Sequence, residues 1–361
     1  MLKTRTSLQK IEPYKPGKPV EELAREYGIT GEIIKLASNE NPLGASPRAL
    51  AALSQSLNET HLYPDNTCYA LINRLAKVHE ISARSITIGN GSVEIILNAA
   101  LVYAEPGTEI IMSDVSFVMY PIAAHISGAQ PVKIPTKNFK HDLEAMLKAV
   151  SEKTRIIFLD NPNNPLGSVI SAGELDAFVE RVPEHVLIVI DEAYYEYAGS
   201  LDYPQSINYV NSGRNVLVLR TFSKIYGLAA LRVGYGFGKP EIVECLNKVR
   251  LPFSVSRPGQ AAAVAALDDD EHRDGSRALN EQGKVYLTKE FERMGIEYVP
   301  PNGNFIFARF KQDALPIAKA LEQQGIIVRP VQTPDALRIT IGTPEQNQRF
   351  IKALEGILGA K

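Results

Sequence analysis

The feature that most constrains the fold is an alternation of apolar runs and helix-forming stretches through the middle of the chain. Short apolar runs occur at residues 109–112, 155–159, 186–190 and 216–219, and stretches with helical character lie among them. The runs are rich in Val, Ile and Leu, which is typical of strands buried on both faces. We therefore expect an α/β fold with a mostly parallel central sheet and helices on both of its faces.

The pattern changes after about residue 239, where a second, smaller domain is expected. Strand-like and helical segments there have the order of a small α+β domain with antiparallel strands. The strands are predicted at 296–299, 305–310, 326–329 and 336–341, and the helices at 315–324 and 344–358. The predicted division of the chain is an N-terminal arm and helix at 1–35, a large domain at 36–245 and a small domain at 246–361.

Composition and charge exclude several classes of protein. The chain has 361 residues, of which 45% are hydrophobic and 22% are charged, and this is enough to bury a large core. A formal net charge of -2 gives no basic surface for nucleic acid or anionic membranes, so small-molecule ligands are expected. No apolar run is long enough to span a membrane and the first residues lack a signal-peptide core, which predicts a cytoplasmic protein. Cys68, Cys245 and the histidines lack metal-ligand spacing, so no metal site is expected.

An aspartate and a lysine follow two of the buried strands. Asp191 comes after the run at 186–190, and Lys224 comes shortly after the run at 216–219. Carboxyl ends of parallel strands meet at one edge of a sheet, where open α/β folds bind ligands. Burial and a neighbouring cation such as Arg232 would lower the pKa of Lys224 and suit it to Schiff-base chemistry. Taken alone, this lysine could equally extend to solvent and the aspartate could form a structural salt bridge.

The segment GNGS at 89–92 joins a predicted strand to a predicted helix. Free backbone amides at the start of such a helix can hold a phosphate group, and Ser92 is the expected N-cap. Glu94 stands where a dinucleotide-binding fingerprint requires its third glycine, which favours a single phosphate over a dinucleotide. A simple helix cap remains the alternative for this segment.

Several motifs in a fixed order resemble the histidinol-phosphate aminotransferase branch of the fold-type I, pyridoxal-phosphate-dependent aminotransferases. They cover nearly the whole chain: PYKPG at 13–17, SNENPLG at 38–44, YPD at 63–65, GNGS at 89–92, NPNNPLG at 161–167, DEAYYEY at 191–197, TFSKIYGLAALRVG at 221–234 and LRITIGT at 337–343. The resemblance implies a fold-type I architecture. It also implies a ping-pong aminotransferase that converts histidinol phosphate and 2-oxoglutarate to imidazole-acetol phosphate and glutamate.

The resemblance also implies a role for each residue that matches a family motif. Lys224 would form the Schiff base with pyridoxal phosphate and move the substrate proton, and Asp191 would pair with the pyridine nitrogen. The other cofactor contacts would come from Asn164 and Tyr194 to the 3-oxygen, from Phe117 to the ring, and from Ser92, Val93, Thr221, Ser223 and Arg232 to the phosphate. Tyr63 would reach the phosphate of the neighbouring subunit, which implies a homodimer.

For the substrate, the resemblance implies contacts from Tyr14 on the arm, from Asn164, and from Arg329 and Arg338 in the small domain. Guanidinium groups suit both phosphate and carboxylate, and a transaminase must accept two substrates in one pocket. Closure of the small domain over the substrate would also exclude water.

Two positions depart from the usual family pattern. Val93 stands where the family often has an acid, and Leu166 stands where it often has threonine. Cofactor tuning or the preferred amino donor could differ for this reason. The alternatives are an aromatic amino acid aminotransferase, a decarboxylase of a phosphorylated substrate and, more remotely, a non-catalytic protein that binds pyridoxal phosphate.

Overall fold

A computed structural model describes residues 2–13, 17–199 and 202–359. The strands are β1 (Ile34–Leu36), β2 (Ile86–Asn90), β3 (Glu109–Ser113), β4 (Gln130–Ile134), β5 (Thr154–Asp160), β6 (Leu187–Asp191), β7 (Val216–Thr221), β8 (Val233–Phe237), β9 (Glu297–Tyr298), β10 (Phe305–Arg309), β11 (Ile326–Pro330) and β12 (Ala336–Thr340). The helices are α1 (Val20–Tyr27), α2 (Pro47–Ser56), α3 (Tyr69–His79), α4 (Ser92–Tyr103), α5 (Met119–Ser127), α6 (Leu143–Ala149), α7 (Ala172–Arg181), α8 (Ile207–Asn211), α9 (Pro240–Val249), α10 (Arg257–Leu267), α11 (Asp270–Met294), α12 (Leu315–Gln323) and α13 (Pro344–Gly359).

The larger sheet has seven strands in the order β2-β8-β7-β6-β5-β3-β4. The strands from β7 to β4 pair in parallel, while β8 is antiparallel to both of its neighbours. Every residue of β6 and β7 is buried, as expected for apolar strands covered on both faces. The predicted α/β fold with a mostly parallel sheet is confirmed.

Two hydrophobic clusters cover the two faces of this sheet. One cluster joins the sheet to residues of α2, α3, α7 and α10, and the other joins it to α4, α5 and α9. Local sequence signals set the helix starts. Ser171 and Glu174 form a capping box at the start of α7, for example, in which each side chain accepts from the other residue's backbone amide. Strong burial on both faces makes the sheet a rigid platform for the polar residues at its edge.

The smaller sheet has five strands in the order β1-β11-β12-β10-β9. Its own hydrophobic cluster includes residues of α11, α12 and α13. Strands β9 to β12 pair antiparallel, whereas β1 joins the far edge in parallel with β11. The predicted boundary after residue 35 therefore falls inside a strand of the small sheet, and α10, beyond the boundary at 245, packs on α2 and α3. The proposed division into domains stays a prediction.

The start of α4 differs in one detail from the sequence expectation. Gly91, with φ +72°, occupies the N-cap, and Ser92 is the first helical residue. The expected serine cap was therefore wrong by one position, because the tight turn after β2 needs a positive φ that glycine adopts without strain. In the described part of the chain, no helix is both long enough and apolar enough to cross a membrane.

Candidate active site

A cavity of about 270 Å³ lies at the carboxyl ends of β5, β6 and β7, beside the start of α4 and facing β11 and β12. This is the edge at which open α/β sheets bind ligands. The predicted site residues that line it are Ser92, Val93, Phe117, Asn164, Asp191, Tyr194, Thr221, Ser223, Lys224, Arg232, Arg329 and Arg338. The fold thus brings together residues that are widely separated in the sequence.

Of the predicted site residues that the structure describes, Tyr63 does not line this cavity. Tyr14 lies outside the described residues, so its position stays a prediction. Tyr63 is 79% exposed and stacks on Phe253, with ring centroids 4.6 Å apart. An exposed aromatic pair of this kind is available to a neighbouring molecule rather than to the cavity of its own chain.

Lys224 places a primary amine inside the cavity. Its Nζ donates a hydrogen bond to the carbonyl oxygen of Ser38 at 3.1 Å and lies 5.6 Å from the centroid of the Tyr194 ring. Burial, followed by the positive charge of Arg338, lowers the pKa of Lys224 to about 8. Arg232, the cation expected from the sequence, contributes in the same direction with a smaller effect. An amine with this pKa supplies a substantial neutral fraction near physiological pH.

Asp191, the last residue of β6, presents a carboxylate with one unused oxygen. Its Oδ2 accepts a hydrogen bond from the hydroxyl of Tyr120 at 3.2 Å, whereas Oδ1 is buried and has no hydrogen-bond partner among the described residues. Burial and the nearby charge of Asp160 raise the pKa of Asp191 to about 7. A ligand carrying a cationic N–H group would satisfy Oδ1 and stabilise the ionised carboxylate.

The start of α4 is suited to binding an anion. The first amides of the helix, at Ser92 and Val93, have no acceptor within the helix. Arg232 donates to the hydroxyl of Ser223 at 3.2 Å and to the carbonyl of Ala229 at 3.0 Å, which fixes its guanidinium group beside these amides. A Cβ atom at Gly234 would lie 2.2 Å from the Ser92 nitrogen, so the backbone approach at this site requires glycine.

The small sheet contributes two arginines from adjacent strands. Arg329 of β11 and Arg338 of β12 are cross-strand partners in the antiparallel pair. Arg338 donates from one nitrogen to Oδ1 of Asn164 and from another to the carbonyl of Ala37, both at 2.6 Å. The backbone amide of Asn164 in turn donates to Asp160 at 2.7 Å. These contacts hold a second cationic group, suited to carboxylate or phosphate, at the wall of the same cavity.

Several residues of the site were missed by the sequence analysis. Asp160 ends β5 in the way that Asp191 ends β6, so the same strand-end signal could have found it. Asn39 donates a hydrogen bond to the hydroxyl of Tyr194 at 2.9 Å, and the hydroxyl of Tyr120 donates one to Asp191 at 3.2 Å. For these two contacts the sequence contains no local signal, because each depends on a partner far away in the chain.

The two departures from the family pattern fall in different environments. Val93 lines the cavity at the start of α4, and because its side chain is apolar, only its backbone amide can donate a hydrogen bond to an anion there. Leu166 is buried in a cluster with Val299 and Phe307 and does not line the cavity. A change of residue at 166 therefore acts on packing between the turn and the smaller sheet.

The arrangement is suited to an aromatic cofactor that carries both a ring nitrogen and a phosphate. Asp191 offers an acceptor for a ring N–H, the start of α4 offers amides for a phosphate, and Lys224 offers an amine in the same cavity. Phe117 and Tyr194 supply aromatic and hydroxyl groups along the cavity wall. Such a combination fits a reaction at an amino or carbonyl group of a small anionic substrate.

Comparison with known proteins identifies close relatives across the whole chain. Residues 31–354 match the family described as "Aminotransferase class I and II". Histidinol-phosphate aminotransferase of Moorella thermoacetica is 48% identical over 363 residues, covering 99% of this chain and 93% of the relative. Histidinol-phosphate aminotransferase 2 of Pseudomonas fluorescens strain Pf0-1 is 48% identical, covering 97% of this chain and 96% of the relative. The crystal structure of histidinol-phosphate aminotransferase from Sinorhizobium meliloti with pyridoxal-5'-phosphate has a TM-score of 0.91, 28% identity and coverage of 100% and 98%.

Proposed function

This chain belongs to the class I and II aminotransferases, and we propose that it uses pyridoxal 5'-phosphate to transfer the amino group of histidinol phosphate to 2-oxoglutarate, a step of histidine biosynthesis. The observation that carries the proposal is the cavity, in which one lysine, one unsatisfied buried carboxylate oxygen and two anion sites meet. Near-full-length relatives that are 48% identical and named for this activity support the choice of substrate.

The proposed cofactor contacts follow the chemistry of the cavity walls. Asp191 would accept a hydrogen bond from the ring nitrogen, and Phe117 would pack against the ring. The phosphate would bind the amides of Ser92 and Val93, with Thr221, Ser223 and Arg232 completing the anion site. Asn164 and Tyr194 would hold the 3-oxygen. When bound, the cofactor supplies the electron sink that makes the substrate's α proton removable.

The residues of the chain then position the substrate and move its proton. Lys224, whose pKa burial lowers to about 8 in the cofactor-free protein, would act as the base at the substrate's α carbon. Arg338 and Arg329 would bind the phosphate of histidinol phosphate or a carboxylate of glutamate, so one pair of guanidinium groups serves both substrates. Tyr14 is proposed as a further substrate contact.

We propose a homodimer in which Tyr63 completes the neighbouring site. Its support is the exposed stack of Tyr63 on Phe253, together with the exposed apolar side chains of Leu62, Tyr69 and Leu251 in neighbouring stretches of the sequence. Mixing two variant chains, each with a different defect, tests this directly. A Tyr63→Ala chain and a Lys224→Ala chain, each impaired alone, should regain activity in hybrid dimers, because one site then has an intact lysine and an intact tyrosine from the partner. No gain on mixing would contradict a shared site.

The proposed compartment is the cytoplasm. Cys68 and Cys245 are both free thiols, which is the state that a reducing compartment maintains.

The decisive experiment is a donor screen with the purified protein and 2-oxoglutarate. We expect the protein loaded with pyridoxal phosphate to absorb visible light, histidinol phosphate to bleach this band, and glutamate to form. Lys224→Ala should abolish both effects, whereas Lys248→Ala, at a solvent-exposed lysine of α9, should abolish neither. A much higher kcat/KM for phenylalanine than for histidinol phosphate would contradict the proposed substrate and favour an aromatic aminotransferase. Release of carbon dioxide without glutamate would indicate a decarboxylase.

A further inference from the structure

Asn39 occupies an unusual position between the two sheets. It is fully buried, has a left-handed backbone with φ +55°, and lies just after β1. Its backbone amide donates to Oγ1 of Thr340 at 2.9 Å, and its carbonyl accepts from Nδ2 of Asn304 at 3.0 Å. Both partners belong to the small-domain part of the chain, so the small domain holds the Asn39 backbone in place.

The hydrogen bonds of Thr340 fix the orientation of the Asn39 side chain. Because Oγ1 of Thr340 accepts from the Asn39 backbone, its own proton is available and donates to Oδ1 of Asn39 at 3.0 Å. The amide nitrogen of Asn39 is thereby turned toward Tyr194, and it donates to the Tyr194 hydroxyl oxygen at 2.9 Å. Asn39 therefore acts as a donor toward Tyr194.

This contact determines where the Tyr194 proton can go. A phenol has one proton to donate, and Asn39 cannot accept it because its amide nitrogen faces the phenol. In the described part of the chain, no other group accepts a hydrogen bond from this hydroxyl, and both residues line the cavity. Burial raises the pKa of Tyr194 to about 12, so the proton is present at neutral pH. The proton is thus directed at whatever acceptor the cavity holds.

The same contact connects Tyr194 to the strand that carries Arg338. Arg338 and Thr340 are two residues apart on β12, so their side chains leave the same face of the strand. An anion bound by Arg338 acts on β12, and Thr340 transmits the position of β12 to Asn39 through two hydrogen bonds.

We propose that Asn39 is a positioning residue that directs the Tyr194 proton at the cofactor's 3-oxygen and makes this contact depend on the position of β12. The inference rests on the proposed function, since it assigns a role toward the same cofactor. A hydrogen bond from Tyr194 stabilises negative charge on the 3-oxygen, and it therefore favours loss of the neighbouring proton held between Lys224 and the cofactor. Without Asn39, that proton is held more tightly.

The test is a pH titration of the visible absorption band of the loaded protein. The variants are Asn39→Gly, which tolerates the positive φ, Asn39→Asp, Tyr194→Phe and the double variant Asn39→Gly/Tyr194→Phe. Asn138→Gly is the matched control, because Asn138 is an exposed asparagine with φ +51° outside the cavity. Melting of the cofactor-free variants shows whether each one is folded.

We expect Asn39→Gly and Tyr194→Phe each to raise the midpoint of the titration by roughly one pH unit. The double variant should shift no further than Tyr194→Phe. Asn39→Asp should shift it more than Asn39→Gly, because a carboxylate would take the Tyr194 proton. The control should match wild type. The charged groups that face Tyr194 and Lys224 are unchanged in Asn39→Gly and cannot produce its shift: Glu40, Asp160, Asp191, Arg232 and Arg338.

The outcomes separate this inference from the proposed function. If the wild-type protein shows the band and Asn39→Gly leaves the midpoint of its titration unchanged, the inference alone is overturned. The same holds if Asn39→Gly shifts the midpoint equally in the wild-type protein and in Tyr194→Phe. If the Asn39 variants do not fold, Thr340→Val removes the hydroxyl that orients the amide. Thr340→Val should also raise the midpoint of the titration. An unchanged midpoint in Thr340→Val overturns the inference as well. A wild-type protein with neither band nor amino transfer contradicts the proposed function and this inference together.

Discussion

Replacing Lys224 by methionine should stabilise the cofactor-free protein while abolishing amino transfer. Folding lowers the pKa of Lys224 from 10.5 to about 8, mainly because the amine is buried. That difference corresponds to a destabilisation of about 3 kcal/mol near neutral pH. Solvent that enters an open cavity screens the charge, so we expect a gain of about 1–2 kcal/mol and a melting temperature higher by about 2 °C. Methionine fills a similar volume and never carries a charge.

The gain should depend on pH with a definite sign. Below about pH 8, the folded and unfolded states both hold the Lys224 proton, and wild type is destabilised by the full amount. Between about pH 8 and pH 10.5, the unfolded state keeps the proton that the folded state has lost, so wild type becomes more stable relative to the variant as pH rises. Above pH 10.5 both states are neutral and this contribution disappears.

Thermal unfolding of the two cofactor-free proteins across this pH interval is the assay. Other groups titrate in both proteins, and their effects cancel in the difference between melting temperatures. Lys248→Met is the matched control, because the Lys248 side chain is 68% exposed and its charge is not buried by folding. A Lys224→Met protein that melts below wild type would refute the reasoning. A difference that stays constant as the pH rises would refute it too.

Two further predictions concern the platform around the site. Glu192→Gln removes the carboxylate that pairs with Arg220 at 2.9 Å, and because both side chains are almost fully buried, we expect a loss of about 3–5 kcal/mol in denaturant unfolding. The exposed Glu244→Gln should change stability little. Gly234→Ala puts a Cβ atom 2.2 Å from the first nitrogen of α4, so equilibrium binding of pyridoxal phosphate should weaken by about tenfold or more. Gly31→Ala meets nothing within 4 Å, and equal affinities for these two variants would contradict a tight anion site.

The central sheet and the polar residues at its edge could be predicted because their signals are local. The apolar runs that became β6 and β7 are buried throughout, and a polar residue after such a run must lie at the carboxyl edge. This reasoning placed Asp191 and Lys224 correctly in one cavity. The same signal at the end of β5 would also have included Asp160, the last residue of that strand.

The contacts between distant segments could not be predicted in the same way. The pairing of β1 with β11 joins residues nearly three hundred positions apart, and β1 is only three residues long, so its pattern cannot specify a partner. The hydrogen bond from Asn39 to Tyr194 depends on that pairing, because β1 places Asn39 at the junction of the two sheets. The start of α4 was misplaced by one residue, since Gly91 and Ser92 both favour an N-cap and only the turn geometry decides between them.

The segment 37–40, which leads from β1 toward α2, contacts three residues of the cavity wall, Arg338, Lys224 and Tyr194. The carbonyl of Ala37 accepts a hydrogen bond from Arg338 at 2.6 Å, and the carbonyl of Ser38 accepts one from Lys224 at 3.1 Å. The side chain of Asn39 donates to the Tyr194 hydroxyl at 2.9 Å. Because β1 is a strand of the small sheet, a shift of that sheet on substrate binding must displace this segment as well. The guanidinium group of Arg338, the amine of Lys224 and the phenol of Tyr194 are therefore held in register by one stretch of backbone. A substrate that engages Arg338 can in this way alter the surroundings of Lys224 without touching it.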